Sequence, residues 1–189
     1  MTGRIAVLGW GSLLWDKDGE FDNRRRRWQY DGPTLKLEFS RISEKRRGAL
    51  TLVIDSENGM DAQVAWALSR RDRIGDAAED LRKREKAHRK FIGMHSVAGD
   101  RRGRDANALA AIEDWADKRG LDGMVWTDLP GNFVDKTGER FSVDAAIRYL
   151  KSLRGDDRER AFRYIRNAPA FIRTPLRMAF SDMLEGVEG

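Results

Sequence analysis

The sequence contains no cysteine among its 189 residues. That excludes a disulfide framework, a zinc finger, a thiolate iron site and a cysteine nucleophile. It fits a reducing compartment. Histidine is nearly as scarce. His88 and His95 are the only two, seven positions apart, with no His-x-x-x-His pair and no carboxylate cluster at ligand spacing. No metal site is expected from such a pattern. Long apolar runs are missing too. The N-terminal run Ile5 to Trp15 has eleven residues, is broken by Gly9 and Gly11, and leads into Asp16, Lys17 and Asp18. It is too short to span a bilayer and lacks the small-residue cleavage site of a signal peptide. The expectation is a soluble, cytoplasmic protein with no membrane partner.

What is present points to a packed core. Apolar residues make up 40% of the chain and include six Trp and eight Phe, which argues against disorder. A chain of this length can bury a core without a staple, so residues 1–189 are read as a single domain. The balance of 36 basic and 31 acidic residues leaves a net charge of +5. Arg24 to Arg27 are four consecutive arginines, and Lys45-Arg46-Arg47 falls in an expected strand connection. Between Arg70 and Lys90 nine basic residues face five acidic ones. Such runs can track a phosphate backbone, with Trp28 and Tyr30 as stacking partners. Acidic residues are interleaved through most of the chain, however, and no nucleic-acid-binding motif occurs. A solvated, salt-bridged surface accounts for the runs better than nucleic acid does. Basic surface also suits a small anionic substrate.

The first half reads as strands. Arg4 to Leu8, the period-two segment Leu35, Leu37 and Phe39, the β-branched run Leu50 to Ile54, and Val64 to Leu68 suggest one antiparallel-rich sheet. From Ile74 the period changes. Ile74, Ala78, Leu81, Glu85, His88 and Ile92 are spaced as one face of a helix. Gly99 to Arg104 reads as a loop, and Asp105 as the cap of a helix through Arg119, ended by Gly120. Met124 to Thr127 reads as a short strand. Ser142 caps a helix to about Leu153, another covers Arg158 to Asn167, and Thr174-Pro175 opens the last. Strands first and helices later predict an α+β fold: a mixed sheet or small barrel flanked by helices, with a mainly helical stretch over 105–189.

Two places carry candidate chemistry. The first is the loop Gly9-Trp10-Gly11-Ser12-Leu13-Leu14-Trp15 after the first strand. Its glycines allow positive φ and let successive N–H groups converge on an anion. A dinucleotide fingerprint or a serine-hydrolase elbow needs glycine where Leu14 stands, and a phosphate loop needs Gly-Lys-Ser/Thr. The residues alone fit a structural turn as well as a ligand loop. The second is Glu85, a carboxylate on an apolar helix stripe. Partial desolvation favours the neutral carboxyl, which suits a general base near neutrality. A buried ion pair with Arg82, Arg84 or Arg89 is the competing reading.

Together these segments carry a resemblance. Leu8-Gly9-Trp10-Gly11-Ser12-Leu13-Leu14-Trp15 resembles the opening signature of the γ-glutamylcyclotransferase superfamily. It is most similar to the ChaC-like, glutathione-degrading branch, whose loop reads Phe-Gly-Tyr-Gly-Ser-Leu-Ile/Met-Trp. Leu81-Arg82-Lys83-Arg84-Glu85 resembles the second motif, a leucine followed by the catalytic glutamate. Gly32-Pro33, Arg41, Ser43, Gly48-Ala49-Leu50 and Val64-Ala65-Trp66-Ala67-Leu68 match in style, so the likeness covers roughly residues 5–90. Trp10 stands where the family has tyrosine, and Lys86-Ala87-His88-Arg89 replaces a Gly-Tyr pair that often follows the glutamate. Trp126-Thr127-Asp128-Leu129-Pro130-Gly131-Asn132-Phe133 matches nothing in the family.

The resemblance implies a cofactor-free enzyme acting on a γ-glutamyl amine or peptide. Gly9, Trp10, Gly11, Ser12 and Leu13 would hold the substrate, with the amides of Gly11 to Leu13 on its carboxylate. Glu85 would move the proton as the α-amino group attacks the γ-carbonyl, giving 5-oxoproline and a free amine. The alternative is a non-catalytic module of the same fold that binds a small anion or RNA through its pocket or basic face.

Overall fold

A computed structural model describes residues 3–185. In chain order the elements are β1 (Ile5–Gly9), α1 (Gly19–Asp22), β2 (Thr34–Ser43), β3 (Ala49–Ile54), β4 (Met60–Gln63), β5 (Ala65–Leu68) and α2 (Ile74–Glu85). There follow β6 (Ile92–Ser96), β7 (Arg101–Arg102), α3 (Ala106–Lys118), β8 (Gly123–Thr127), α4 (Phe133–Thr137), α5 (Val143–Ser152), α6 (Gly155–Asn167) and α7 (Pro175–Glu185). The fold is mixed α+β, with two open sheets and no closed barrel among the described residues. No described helix is long and apolar enough to cross a membrane. The chain forms two compact units. One comprises the residues up to Leu35 together with Gln63–Leu129, the other Lys36–Ala62 together with Pro130 onward.

In the first unit a five-stranded sheet runs β5-β1-β8-β6-β7. β1 lies parallel to β8, with Val7 opposite Val125, and antiparallel to β5, with Gly9 opposite Ala65. Both its edges are therefore occupied, and all five of its residues are buried. That explains a continuous apolar run instead of alternation. Helix α2 packs over β1, β8 and β6. Val7, Leu13, Phe21, Ala78, Leu81, Ile92 and Val125 belong to the resulting core cluster, with Trp28 and Met94 packed against it.

In the second unit the sheet order is β3-β2-β4. Helix α6 packs on β3, and α5 contacts α6 and α7. The register of β2 against β3 shifts between Glu38 and Arg41. Asn132 pairs with the backbone of Ile42: its Oδ1 accepts the Ile42 N–H at 2.7 Å, and its Nδ2 donates to the Ile42 carbonyl at 3.1 Å. Arg41 donates to the Pro130 carbonyl at 2.8 Å. This part of the unassigned 126–133 segment thus satisfies polar backbone of β2 that would otherwise need water or another strand.

The helix caps follow the sequence closely. Asp105, Ser142 and Thr174 each accept an N–H from the first turn that follows, those of Ala108, Ala145 and Arg177. Gly120, with φ 60°, ends the Asp105-capped helix.

Three expectations need correction. The four early strands do not share one sheet: β1 and β5 lie in the five-stranded sheet, β2 and β3 in the three-stranded one. Hydrophobic pattern identifies a strand without naming its partner, and β1 takes its second neighbour from β8, over a hundred residues later. Met60–Gln63, where the sequence pattern marks no strand, forms β4.

Helix α2 is also shorter than its apolar spacing suggested. Lys86 adopts the left-handed conformation at φ 50°, and its N–H closes back on the Arg82 and Lys83 carbonyls. His88 lies beyond the helix, where its Nδ1 accepts the Lys90 N–H, and Ile92 opens β6 opposite Thr127. The apparent periodicity runs on because His88, in the connection, and Ile92, the first residue of β6, happen to fall at helical spacing.

Candidate active site

The opening loop leaves β1 at Gly9. A Cβ on Gly9 would lie 2.6 Å from Trp28 Cη2, so only glycine admits the indole here. Trp10 is extended (φ −146°, ψ 168°) and buried. Gly11 takes a left-handed φ of 61° and opens a single 3-10 turn over Gly11–Leu13. The turn's first hydrogen bond runs from the Leu14 N–H to the Gly11 carbonyl at 3.0 Å. The amides of Gly11, Ser12 and Leu13 precede that bond, so the turn itself uses none of them. Ser12 is buried, and the Leu13 side chain joins the core cluster that also holds Leu81.

Glu85 is the last residue of α2, with a side chain 16% exposed. Its Oε1 is buried and has no hydrogen-bond partner among the described residues. The nearest cation is its chain neighbour: Arg84 Nη1 stands 3.9 Å from Glu85 Oε1, too long for a hydrogen bond. The other candidate partners are engaged elsewhere. Arg82 makes a two-pronged pair with Glu79 at 2.7 Å, and Arg89 also approaches Glu79, at 4.0 Å.

Arg84 connects the two motifs. Its side chain is 7% exposed, and its Nη2 donates to the Asp16 carbonyl at 2.9 Å. Its Nε lies 3.9 Å from Asp18 Oδ2. Asp16 in turn donates its N–H to the Ser12 carbonyl at 2.8 Å. A short path of polar contacts therefore runs from the glycine turn through Asp16 and Arg84 to Glu85. The fold brings the two sequence motifs to one corner of the first unit.

Sequence reasoning treated Arg84 only as a possible ion-pair partner. The buried face of α2 is Ala77, Ala78, Leu81 and Arg84, a stripe that shares Ala78 and Leu81 with the predicted one but ends on Arg84 instead of Glu85. Positions 77, 78, 81 and 84 keep helical spacing, so the signal was present; the charge of arginine concealed it. Trp28 was missed as a packing residue. Its ring packs on the core, its Nε1 is buried without a partner among the described residues, and Arg25 stacks over it at 4.4 Å.

Other candidates resolve into structure. Asp128, buried at the end of β8, accepts the Arg104 N–H at 2.7 Å, and burial holds its carboxyl above the ordinary value. Trp126 lies so close to Gly93 that a Cβ there would sit 2.0 Å from its ring. Among the described residues no three His, Cys, Asp or Glu side chains group as metal ligands. No family model, curated protein or solved structure matches this chain.

Proposed function

We propose that the chain is a γ-glutamylcyclotransferase-type enzyme that converts a γ-glutamyl amine or peptide into 5-oxoproline and the free amine. The observation that carries this reading is the Glu85 oxygen, buried and without a hydrogen bond, tied through Arg84 and Asp16 to the glycine turn. A buried carboxylate oxygen that no donor among the described residues satisfies is available to a substrate N–H.

On this reading the amides of Gly11, Ser12 and Leu13 hold the substrate's carboxylate, since convergent N–H groups favour an anion. The substrate's α-amino nitrogen attacks its own γ-carbonyl carbon, forming the new C–N bond of the ring. Glu85 accepts the proton that this nitrogen loses. The same carboxyl then gives that proton to the departing nitrogen as the original amide C–N bond breaks. Atoms and charge balance with no co-reactant. Holding amine and carbonyl in one bent conformation supplies much of the rate, because the attack is intramolecular.

The test is 5-oxoproline release, read by mass spectrometry, from a panel of γ-glutamyl amino acids, γ-glutamyl amines and glutathione. Release by wild type and none by Glu85→Gln is the expected result. Wild-type rates in a folded Glu85→Gln variant would make Glu85 structural and overturn the mechanism.

A further inference from the structure

A cleft of about 130 Å³ opens between α2, the turn at Arg89–Phe91 and the β6–β7 edge. Its lining includes Arg82, Arg89 and Arg102, against a single carboxylate, Glu79, with Ile92 and Met94 among its apolar walls. The three arginines come from three different elements. Each also has a poorly matched donor. Arg102 Nη2 donates at 3.2 Å to Met94 Sδ, a thioether and one of the weakest acceptors in proteins. Arg82 Nη1 reaches the Ala87 carbonyl only at 3.4 Å. Arg89 is 77% exposed, and its ion-pair contact is the 4.0 Å approach to Glu79.

Two of these side chains are nonetheless fixed. Arg102 Nε is held by the Ile92 carbonyl at 2.8 Å, and Arg82 by both oxygens of Glu79. Guanidinium groups held in place lose little freedom when they bind, and they prefer phosphate or carboxylate oxygens to sulfur or a distant carbonyl. We infer that this cleft binds a phosphate group, as inorganic phosphate or a phosphomonoester, between Arg82, Arg89 and Arg102. Donors arriving from three elements match a tetrahedral oxyanion better than a planar carboxylate, which one arginine can satisfy in its own plane. With Glu79 counted, the lining keeps a net charge of +2, from three arginines against one glutamate. The inference is independent of the Glu85 chemistry, which it neither uses nor supplies.

The test is a titration of full-length protein with inorganic phosphate by thermal unfolding, with sodium chloride varied to hold ionic strength constant. Phosphorus NMR line broadening of the same ligand serves as a second readout. Wild type is expected to show a saturable rise in Tm and broadening of the phosphate signal. Arg89→Gln, at an exposed position, should keep the unliganded Tm and weaken phosphate at least tenfold; Arg89→Gln with Arg102→Gln should abolish the response. A Tm that follows ionic strength alone, or an unchanged phosphate response in folded Arg89→Gln, overturns the assignment.

Discussion

The guanidinium of Arg84 donates to the main-chain carbonyl of Asp16 from a side chain only 7% exposed, holding the end of α2 against the loop that follows the glycine turn. The residue that joins the two motifs is thus not itself one of the predicted site residues.

Arg84→Ala should damage both stability and turnover. It leaves the Asp16 carbonyl without this donor and removes the cation nearest Glu85, a loss of about 1–3 kcal/mol. Arg84→Lys keeps the charge without the fork and should recover only part. Urea unfolding measures the first effect and 5-oxoproline release the second. Unchanged stability in Arg84→Ala would show that the contact does not hold the loop.

Gly9→Ala should destabilise by about 1–3 kcal/mol, because the new methyl overlaps the Trp28 ring. Trp28→Leu opens the space at its own cost in burial. The double variant should therefore be less destabilised than the two single losses combined. A double-mutant cycle by denaturant unfolding checks this, and strict additivity would mean the two side chains do not meet.

Glu38 gives a pH dependence with a defined sign. It is fully buried on β2, where its Oε1 accepts the Phe39 N–H at 2.7 Å and its Oε2 the Leu176 N–H at 3.1 Å. Burial outweighs these bonds and raises its carboxyl from an ordinary 4.5 to about 6. The folded state therefore binds this proton more tightly than the unfolded chain does. The stabilisation is complete below about 4.5 and is lost as pH rises through about 6, an effect of about 2 kcal/mol. Unfolding free energies across that window should show the step in wild type and not in Glu38→Gln. The glutamine variant is also less stable throughout, because its NH₂ faces one of the two backbone donors.

Asn132→Ala should cost about 1–3 kcal/mol by orphaning both backbone groups of Ile42. Asn132→Asp keeps the acceptor for the Ile42 N–H but turns an oxygen toward the Ile42 carbonyl. It should not rescue the loss. Equal stability of all three proteins would show that the β2 edge is satisfied by water.

The sequence by itself determined the local structure. The buried run of β1, the period of α2 as far as Glu85, and the caps at Asp105, Ser142 and Thr174 follow from side-chain polarity, chirality and short-range hydrogen bonding, which neighbouring residues encode. The glycine turn and Glu85 were legible for the same reason, as departures from apolar pattern. Only the tertiary structure decided which strands share a sheet, where α2 stops, and that Arg84 joins the glycine turn to Glu85. Those outcomes depend on groups far apart in the chain competing for the same edge, the same cavity or the same carbonyl. Hydrophobic periodicity is silent about such competition, because it records that a residue is buried and not which partner buries it.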